Sequence, residues 1–145
     1  MATGAWRSAR MEDASLLVEW ERQFLIECGF PLPAALLTDV VIPRLETLGM
    51  LYWIWEIDNA PVAMALGRLA PPTARIEPVY TVPAFRSRGC AGALVGHLSN
   101  ALMGAGARTF SLFTDLANLV SNGVYRRLGF RCIGELVHVD LEALN

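Results

Sequence analysis

The sequence predicts a mixed α/β fold in which helices cover both faces of one central sheet. Segments with strand or helix periodicity follow one another in the order β-α-α-β-β-β-α-β-α-β. The strand predicted from Met50 to Ile57 has large apolar side chains at consecutive positions, which is typical of a strand covered on both sides. Of the 145 residues, 54% are hydrophobic and 18% are charged, so we expect one domain over residues 1–145.

The elements predicted before this strand are one short strand and two helices. The first strand is expected at Trp6–Ala9, and apolar residues at helical spacing predict a helix from Glu12 to Glu27. Proline is favourable at the first position of a helix, so Pro33 is expected to begin a second helix that ends near Gly49. Pro43 is expected to kink or interrupt that helix, because proline cannot donate a main-chain hydrogen bond.

A hairpin and a further strand are predicted after Met50–Ile57. Turn residues at 58–61 lead into a return strand from Val62 to Leu69, and another strand is expected from Ala74 to Val82. A basic turn then begins a helix with one continuous apolar stripe. The stripe consists of Ala91, Leu94, Val95, Leu98, Ala101, Leu102 and Ala105. The remaining predicted elements are the strand Thr109–Thr114, the helix Asn118–Leu128 and the strand Phe130–Val139.

Charge and cysteine spacing exclude several classes of function. A net charge of −2 disfavours general attraction to nucleic acid. No apolar run approaches the roughly 20 residues that cross a bilayer, so no membrane association is expected. Cys28, Cys90 and Cys132 lie far apart, which predicts reduced thiols in a cytoplasmic protein. His97 and His138 have no clustered partners, so no metal site is expected.

The turn between the strand ending at Val82 and the following helix has the composition of an anion-binding site. Small residues allow main-chain N–H groups to converge, the helix N-terminus adds partial positive charge, and arginines add full charge. The expected ligand is a phosphate or pyrophosphate, and the simpler alternative is an ordinary strand-to-helix turn. The candidate ligand-binding residues are Arg86, Ser87, Arg88, Gly89, Cys90, Ala91 and Gly92.

Two motifs in this part of the chain resemble those of the GNAT superfamily of acetyl-CoA-dependent N-acyltransferases. The first is a strand ending in V-x-P followed by (Q/R)-x-x-G-x-(G/A), which is similar to Val82-Pro83 followed by residues 86–91. The second is Asn118, then Tyr125 and the closing Leu128-Gly129-Phe130. Both occur in the family's order, and the chain looks like a bacterial subgroup to which the resemblance assigns no substrate.

The resemblance implies a fold, a cosubstrate and the residues that hold it. The fold would be a twisted, mostly antiparallel mixed sheet with a V-shaped splay between two parallel strands. Main-chain amides of residues 86–92 would bind the pyrophosphate of acetyl-CoA, and Val82 would offer main-chain hydrogen bonds to the pantetheine arm. Asn118 would organise its turn and contact the same arm. Cys90 is not expected to be a nucleophile, because the family transfers the acetyl group directly.

The resemblance also implies two catalytic roles. Tyr125 would protonate the departing thiolate, and the alternative is an aromatic residue that only packs against the last strand. Glu77, grouped by strand alternation with Val79 and Thr81, would be the base that deprotonates the amine; the alternative is a carboxylate at the rim of the sheet. Asp115 and Glu56 are weaker candidates for that base.

The acceptor is expected on the side of the first two helices, with residues 29–33 as a lid. It would be a small-molecule or peptide amine, and Glu19, Glu21 and Glu27 would either attract its positive charge or be merely solvated. The apolar composition and the C-terminal strand are compatible with a homodimer. A non-catalytic acyl-CoA-binding module with the same fold remains the alternative function.

Overall fold

The computed structural model describes residues 2–112 and Arg126, which form a sheet with helices on both faces. The described strands are β1 Ala5–Ser8, β2 Met50–Ile57, β3 Ala60–Ala70, β4 Thr73–Thr81 and β5 Thr109–Ser111. The described helices are α1 Ala14–Cys28, α2 Ala34–Glu46 and α3 Cys90–Gly104, with short 3-10 turns at Met11–Asp13 and Pro83–Phe85. This order confirms the first eight predicted elements, while the helix from Asn118 and the strand from Phe130 lie outside the described residues.

The strands lie in the order β1-β2-β3-β4-β5. Pairing is antiparallel from β1 to β4, whereas β4 and β5 are parallel. The sheet is therefore mixed and mostly antiparallel, as predicted. Among the described residues, β4 pairs with β5 only from Thr73↔Thr109 to Arg75↔Ser111, so the later part of β4 has an open edge within the described part of the chain.

Helix α3 covers one face of the sheet. Most of its predicted apolar stripe is confirmed, since Leu94, Val95, Leu98 and Leu102 are fully buried there, whereas Ala105 is exposed at the C-cap. A Cβ atom at Gly67 of β3 would lie 3.1 Å from the Leu102 side chain. Glycine at this position lets the helix approach the strand closely. Trp53 and Trp55 of β2 pack in the same cluster, as expected for sheet core.

Helices α1 and α2 cover the opposite face. Leu17 of α1 and Val41 of α2 are completely buried against Ile54, Met64 and Leu66 of the sheet. Alternate residues of β2 therefore belong to two separate apolar clusters, which confirms that this strand is covered on both sides.

Several element boundaries differ from the predictions for local reasons. The hairpin turn is shorter than expected, because Asp58 and Asn59 both have positive φ and form a tight two-residue connection. Pro33 is the N-cap of α2 rather than its first residue. Helix α2 ends at Glu46, before the predicted Gly49, because Thr47 has an extended conformation.

Candidate functional site

The turn after β4 exposes an unusual run of main chain. Ser87 and Gly89 have φ angles of 62° and 81°, so the chain turns through the left-handed region twice within three residues. Residues 86–89 are exposed, and α3 begins immediately afterwards at Cys90. Successive N–H groups in such a turn form a concavity that binds anions. The predicted anion-binding turn therefore has suitable geometry.

The first turn of α3 supports the same interpretation. Its N-cap is Gly89, and no side chain in the described part of the chain caps the helix. The N–H groups of Cys90, Ala91 and Gly92 thus have no partner within the helix, as at any helix N-terminus. The thiol of Cys90 is buried, and burial raises its pKa. Cys90 can therefore contribute its main-chain N–H to a ligand, whereas its thiol is unsuited to nucleophilic attack.

The two arginines of the turn have different surroundings. Arg86 donates from Nε to the Thr81 carbonyl at 2.9 Å and from Nη2 to the Glu27 carboxylate of α1 at 2.7 Å. Its guanidinium also lies 5.4 Å from the centre of the Tyr80 ring. Arg88 lies over the Phe85 ring at 4.9 Å. Arg86 is thus held by the protein and links α1 to the turn.

The main chain of Val82 is already engaged. Its N–H donates to the Val62 carbonyl at 2.9 Å, and its carbonyl accepts the Phe85 N–H at 2.9 Å. Thr81 faces the other edge of β4, where its carbonyl accepts the Arg86 side chain. Neighbouring residues of an antiparallel strand direct their main-chain groups to opposite edges. The main-chain N–H that faces the open edge is therefore that of Thr81 and not that of Val82.

A β-bulge changes the expected orientation of Glu77. Ala65 pairs with Val79 but Gly67 pairs with Ile76, so β4 contains one extra residue. Val79 consequently packs against the α3 cluster, as Ile76 does, and Glu77 pairs with Arg75 on the other face. The predicted grouping of Glu77 with Val79 and Thr81 is wrong, because a bulge interrupts the alternation of side chains.

Glu77 lies on the side of the sheet where the acceptor is expected. Its side chain is 23% exposed, and its Oε2 atom accepts a hydrogen bond from Arg75. A partly exposed carboxylate held in one orientation can bind an ammonium group and accept a proton from it. Glu56, the weaker candidate, instead forms an ion pair with Arg7 at 2.6 Å.

The α1/α2 face also contains a buried polar group that sequence reasoning missed. Glu21 is 5% exposed and accepts hydrogen bonds from Arg44 at 2.9 Å and from the Tyr52 hydroxyl at 2.9 Å. Burial raises the pKa of Tyr52, and the negative charge of Glu21 raises it further. Glu21 is thus not a solvated residue. Its position one turn after Leu17 was the available signal, because that position lies on the buried stripe of α1.

The other two acidic residues of α1 are exposed. Glu19 accepts hydrogen bonds from Arg22 and Gln23, as expected of a solvated helix face. Glu27 binds Arg86 across the gap to the anion-binding turn. The segment 29–33, predicted to form a lid, follows directly and exposes Phe30 and Leu32. The predicted lid therefore begins beside the turn.

Metal binding and membrane insertion receive no support from the described residues. His, Cys, Asp and Glu side chains form no group suited to a metal ion in residues 2–112. No helix in that range is both long enough and apolar enough to span a membrane.

Comparison with protein families decides the affiliation of the chain. Residues 14–130 match the acetyltransferase (GNAT) family. The chain belongs to this family. The match extends over the anion-binding turn, Glu77, Asn118 and Tyr125, and it confirms the predicted resemblance. Within the GNAT domain, Asn118, Asp115 and Tyr125 lie outside the described residues, as do Cys132 and His138.

Solved structures share the GNAT fold of this chain over nearly its whole length. One of them is AAC(6')-Iy, an aminoglycoside N-acetyltransferase that was solved with a bisubstrate analogue containing CoA. Its sequence is 17% identical to this chain, and the two structures superpose with a TM-score of 0.80 over 94% of this chain and 96% of AAC(6')-Iy. A predicted acetyltransferase of Clostridium acetobutylicum, solved with acetyl-CoA, is 25% identical, with a TM-score of 0.78 over 96% and 97% of the two chains.

Other functions are also found among similar folds. A transcriptional regulator of Bacillus halodurans is 20% identical, with a TM-score of 0.77 over 94% of this chain and 99% of its own. A search of curated proteins found no match to the sequence. Fold similarity alone therefore does not assign an activity, which has to be argued from the site.

Proposed function

We propose that this protein is an N-acetyltransferase that transfers the acetyl group of acetyl-CoA to a primary amine by direct attack. The observation that carries the proposal is the exposed turn with two positive φ angles, which ends at the uncapped N-terminus of α3. Membership of the GNAT family supports acetyl-CoA as the molecule whose pyrophosphate binds there. We propose that residues 1–145 form one domain and that the protein is cytoplasmic. A homodimer is compatible with this function.

The proposed binding mode for acetyl-CoA uses mainly main-chain groups. N–H groups of residues 86–92 bind the pyrophosphate, and the charge of Arg88 adds to the attraction. The pantetheine arm lies along the open edge beyond Arg75, where Thr81 offers its main-chain N–H beside Val82. Asn118 is proposed to contact the same arm.

The proposed chemistry needs one base and one acid from the chain. Glu77 accepts a proton from the acceptor ammonium, and the neutral amine nitrogen then attacks the thioester carbonyl carbon. The carbon–sulfur bond breaks, and Tyr125 protonates the departing thiolate. The hydrogen bond to Arg75 uses Oε2 of Glu77, so Oε1 has no partner among the described residues and is available to the amine.

A thiol-release assay over a panel of amines tests this proposal. We expect Tyr125→Phe to lower kcat by about 10- to 100-fold with acetyl-CoA still bound, since a general acid is lost. Glu77→Gln should remove the rise of kcat/KM with pH, whereas Glu56→Gln, which alters the ion pair with Arg7, should retain it. Unchanged kcat in Tyr125→Phe would remove that residue from the mechanism.

The same assay separates the enzyme from a non-catalytic module. Calorimetric binding of acetyl-CoA without release of thiol on any amine would favour an acyl-CoA-binding module. Absence of acetyl-CoA binding would contradict both functions.

A further inference from the structure

The side chain of Arg86 contacts β4 and α1, although its main chain belongs to the anion-binding turn. Its Nε atom donates to the Thr81 carbonyl at 2.9 Å, and its Nη2 atom donates to the Glu27 carboxylate at 2.7 Å. The guanidinium also lies 5.4 Å from the centre of the Tyr80 ring. The charged group of Arg86 is therefore held at the end of β4 by three partners.

Glu27 is poorly placed for an anion-binding site unless it serves Arg86. A carboxylate beside the turn repels a pyrophosphate, and its contact with Arg86 neutralises one of the two positive charges there. Glu27 is also the penultimate residue of α1, where the helix dipole disfavours negative charge. The side chains of Arg86 and Glu27 are 42% and 43% exposed, and an ion pair so exposed contributes little to stability. Neither attraction of a pyrophosphate nor stability of the fold therefore explains this pair.

The contact with Thr81 lies where the pantetheine arm is proposed to bind. Thr81 directs its N–H and its carbonyl to the open edge, because the neighbouring Val82 is hydrogen-bonded to Val62 of β3. Among the described residues, β5 pairs with β4 only as far as Arg75, so no described strand holds Thr81 at that edge. Arg86 supplies the hydrogen bond that a neighbouring strand would otherwise make to the Thr81 carbonyl.

We propose that Arg86 is a positioning residue for the pantetheine arm and that Glu27 acts through it. The ion pair holds the guanidinium on the Thr81 carbonyl, which fixes the direction of the Thr81 N–H and leaves it as the main-chain group offered to the arm. Nε and Nη2 lie on one edge of the planar guanidinium, so one side chain can hold both partners at once. This inference rests on the proposed binding of acetyl-CoA, and it assigns the Arg86 side chain to the arm rather than to the pyrophosphate.

Two thioester substrates that differ in the pyrophosphate test the inference. The value of kcat/KM is measured in the thiol-release assay with acetyl-CoA and with S-acetylpantetheine, which has the arm but lacks the pyrophosphate and the nucleotide. We expect Arg86→Met to lower both values by the same factor of about 3 to 10, the effect of losing one hydrogen bond. The ratio of the acetyl-CoA value to the S-acetylpantetheine value should therefore remain that of the wild type.

Arg88→Met is the matched comparison. Arg88 lies in the same turn, over the Phe85 ring, and its charge is proposed to act on the pyrophosphate. Its loss should lower the value for acetyl-CoA more than the value for S-acetylpantetheine, so the ratio should fall. An equal fall of the ratio in Arg86→Met would show that Arg86 binds the pyrophosphate and would overturn the inference. Unchanged values for both thioesters in Arg86→Met would overturn it as well.

Glu27→Gln separates the role of the carboxylate from that of the arginine. The value for S-acetylpantetheine should fall, because Arg86 is held less firmly, whereas the ratio should rise, because the uncompensated charge of Arg86 then attracts the pyrophosphate. The double variant Glu27→Gln/Arg86→Met should lose no more activity with S-acetylpantetheine than Arg86→Met alone, since Glu27 acts through Arg86. Additive losses would contradict this coupling.

Glu19→Gln is the control for the charge of α1. Glu19 is another exposed carboxylate of this helix, and it is paired with Arg22 instead of Arg86. Neither value should change in this variant. A fall equal to that in Glu27→Gln would attribute the effect to the general charge of the helix and would overturn the role of Glu27.

Binding measurements distinguish failure of acetyl transfer from failure of this inference. If no amine is acetylated, the proposed function fails; in that case, or if S-acetylpantetheine is not a substrate, calorimetric titration with CoA and with ADP decides the inference. ADP has a pyrophosphate and lacks the arm. Weaker binding of CoA with unchanged binding of ADP in Arg86→Met supports the inference, whereas equal loss of both, or unchanged binding of CoA, overturns it. If circular dichroism shows that Arg86→Met does not fold, Arg86→Lys, which keeps the charge but cannot hold both partners, takes its place.

Discussion

The two faces of the sheet are built differently. On the α3 face, the buried side chains of the described residues form a continuous apolar cluster around Leu94, Leu98 and Leu102. On the α1/α2 face, an apolar cluster of similar kind is interrupted by buried Glu21 with its partners Arg44 and Tyr52. Arg68 and Glu77 extend this charged region along β3 and β4.

This difference separates a supporting face, which is the α3 face, from a functional face, which is the α1/α2 face where the acceptor is proposed to bind. Replacing a buried ion pair by apolar residues of similar volume is often neutral or stabilising. On this principle we expect that the fold does not require the charges on the α1/α2 face, whereas the described buried side chains on the α3 face are apolar. Charged residues on the α1/α2 face are explained by the proposed function, in which this face binds the acceptor amine and removes a proton from it.

The largest expected effect is on the supporting face. Leu98→Ala removes a completely buried side chain between α3 and β3 and should lower the free energy of unfolding by about 3 to 5 kcal/mol. Urea-induced unfolding measures this loss. Because the cavity lies on the opposite face from Glu77, kcat/KM in the thiol-release assay should not change while the protein remains folded. A lowered kcat/KM in the folded variant would contradict the separation of the two faces.

Arg44→Met should have the next largest effect. The substitution leaves the buried Glu21 carboxylate with only the Tyr52 hydroxyl among its described partners, which should cost about 2 to 4 kcal/mol of unfolding free energy. The double variant Glu21→Leu/Arg44→Met should recover most of that loss, because no uncompensated charge remains. Denaturation of the three proteins measures both changes; a double variant less stable than Arg44→Met would show that the charges do hold this face together.

Tyr52→Phe gives a smaller effect that depends on pH. Near neutral pH the substitution removes two hydrogen bonds and should cost about 1 to 2 kcal/mol. Because the pKa of Tyr52 is raised in the folded protein, the unfolded chain loses this proton first, and stability falls as the pH rises above about 10. The deficit of Tyr52→Phe should therefore shrink above that pH.

Unfolding measured between pH 8 and 11.5 tests this dependence. The chain has no lysine, and the raised pKa of Tyr80 is common to both proteins, so the difference between them isolates Tyr52. A deficit that is constant over this range would contradict a buried, negatively charged environment for the Tyr52 hydroxyl.

Glu19→Gln should have the smallest effect. Arg22 and Gln23 lower the pKa of Glu19 to about 2, but the residue is almost fully exposed. Exposed ion pairs contribute little, so the loss near neutral pH should be under about 0.5 kcal/mol. That contribution is present above the unfolded pKa of about 4.3 and disappears as the pH falls towards 2. A large loss in thermal unfolding would show that charge on the solvated side of α1 also matters.

Local patterns in the sequence predict most of the described fold. Alternation along Met50–Ile57 and the apolar stripe of α3 each depend on a single periodicity, and both were confirmed. The anion-binding turn was predicted because its two glycines and two arginines lie within seven consecutive residues.

Features that depend on distant partners could not be predicted in the same way. The bulge in β4 arises from pairing with β3, and one extra residue reverses which face Glu77 occupies. Arg44 and Glu21 are 23 residues apart, and no local pattern relates them. The engagement of Val82 with Val62 likewise appears only when the hairpin is assembled.

Calorimetric titration with acetyl-CoA tests the central claim most directly. Gly89→Ala places a Cβ at a φ of 81° beside the first N–H groups of α3, whereas Gly106→Ala imposes similar strain at a φ of 111° beside Pro71. The account predicts binding to wild type and Gly106→Ala, and binding weakened by about 10-fold in Gly89→Ala, because left-handed strain of about 1 to 2 kcal/mol favours a relaxed free turn that has to be strained again to bind the pyrophosphate. Equal affinity in all three proteins, or no binding to wild type, would contradict it.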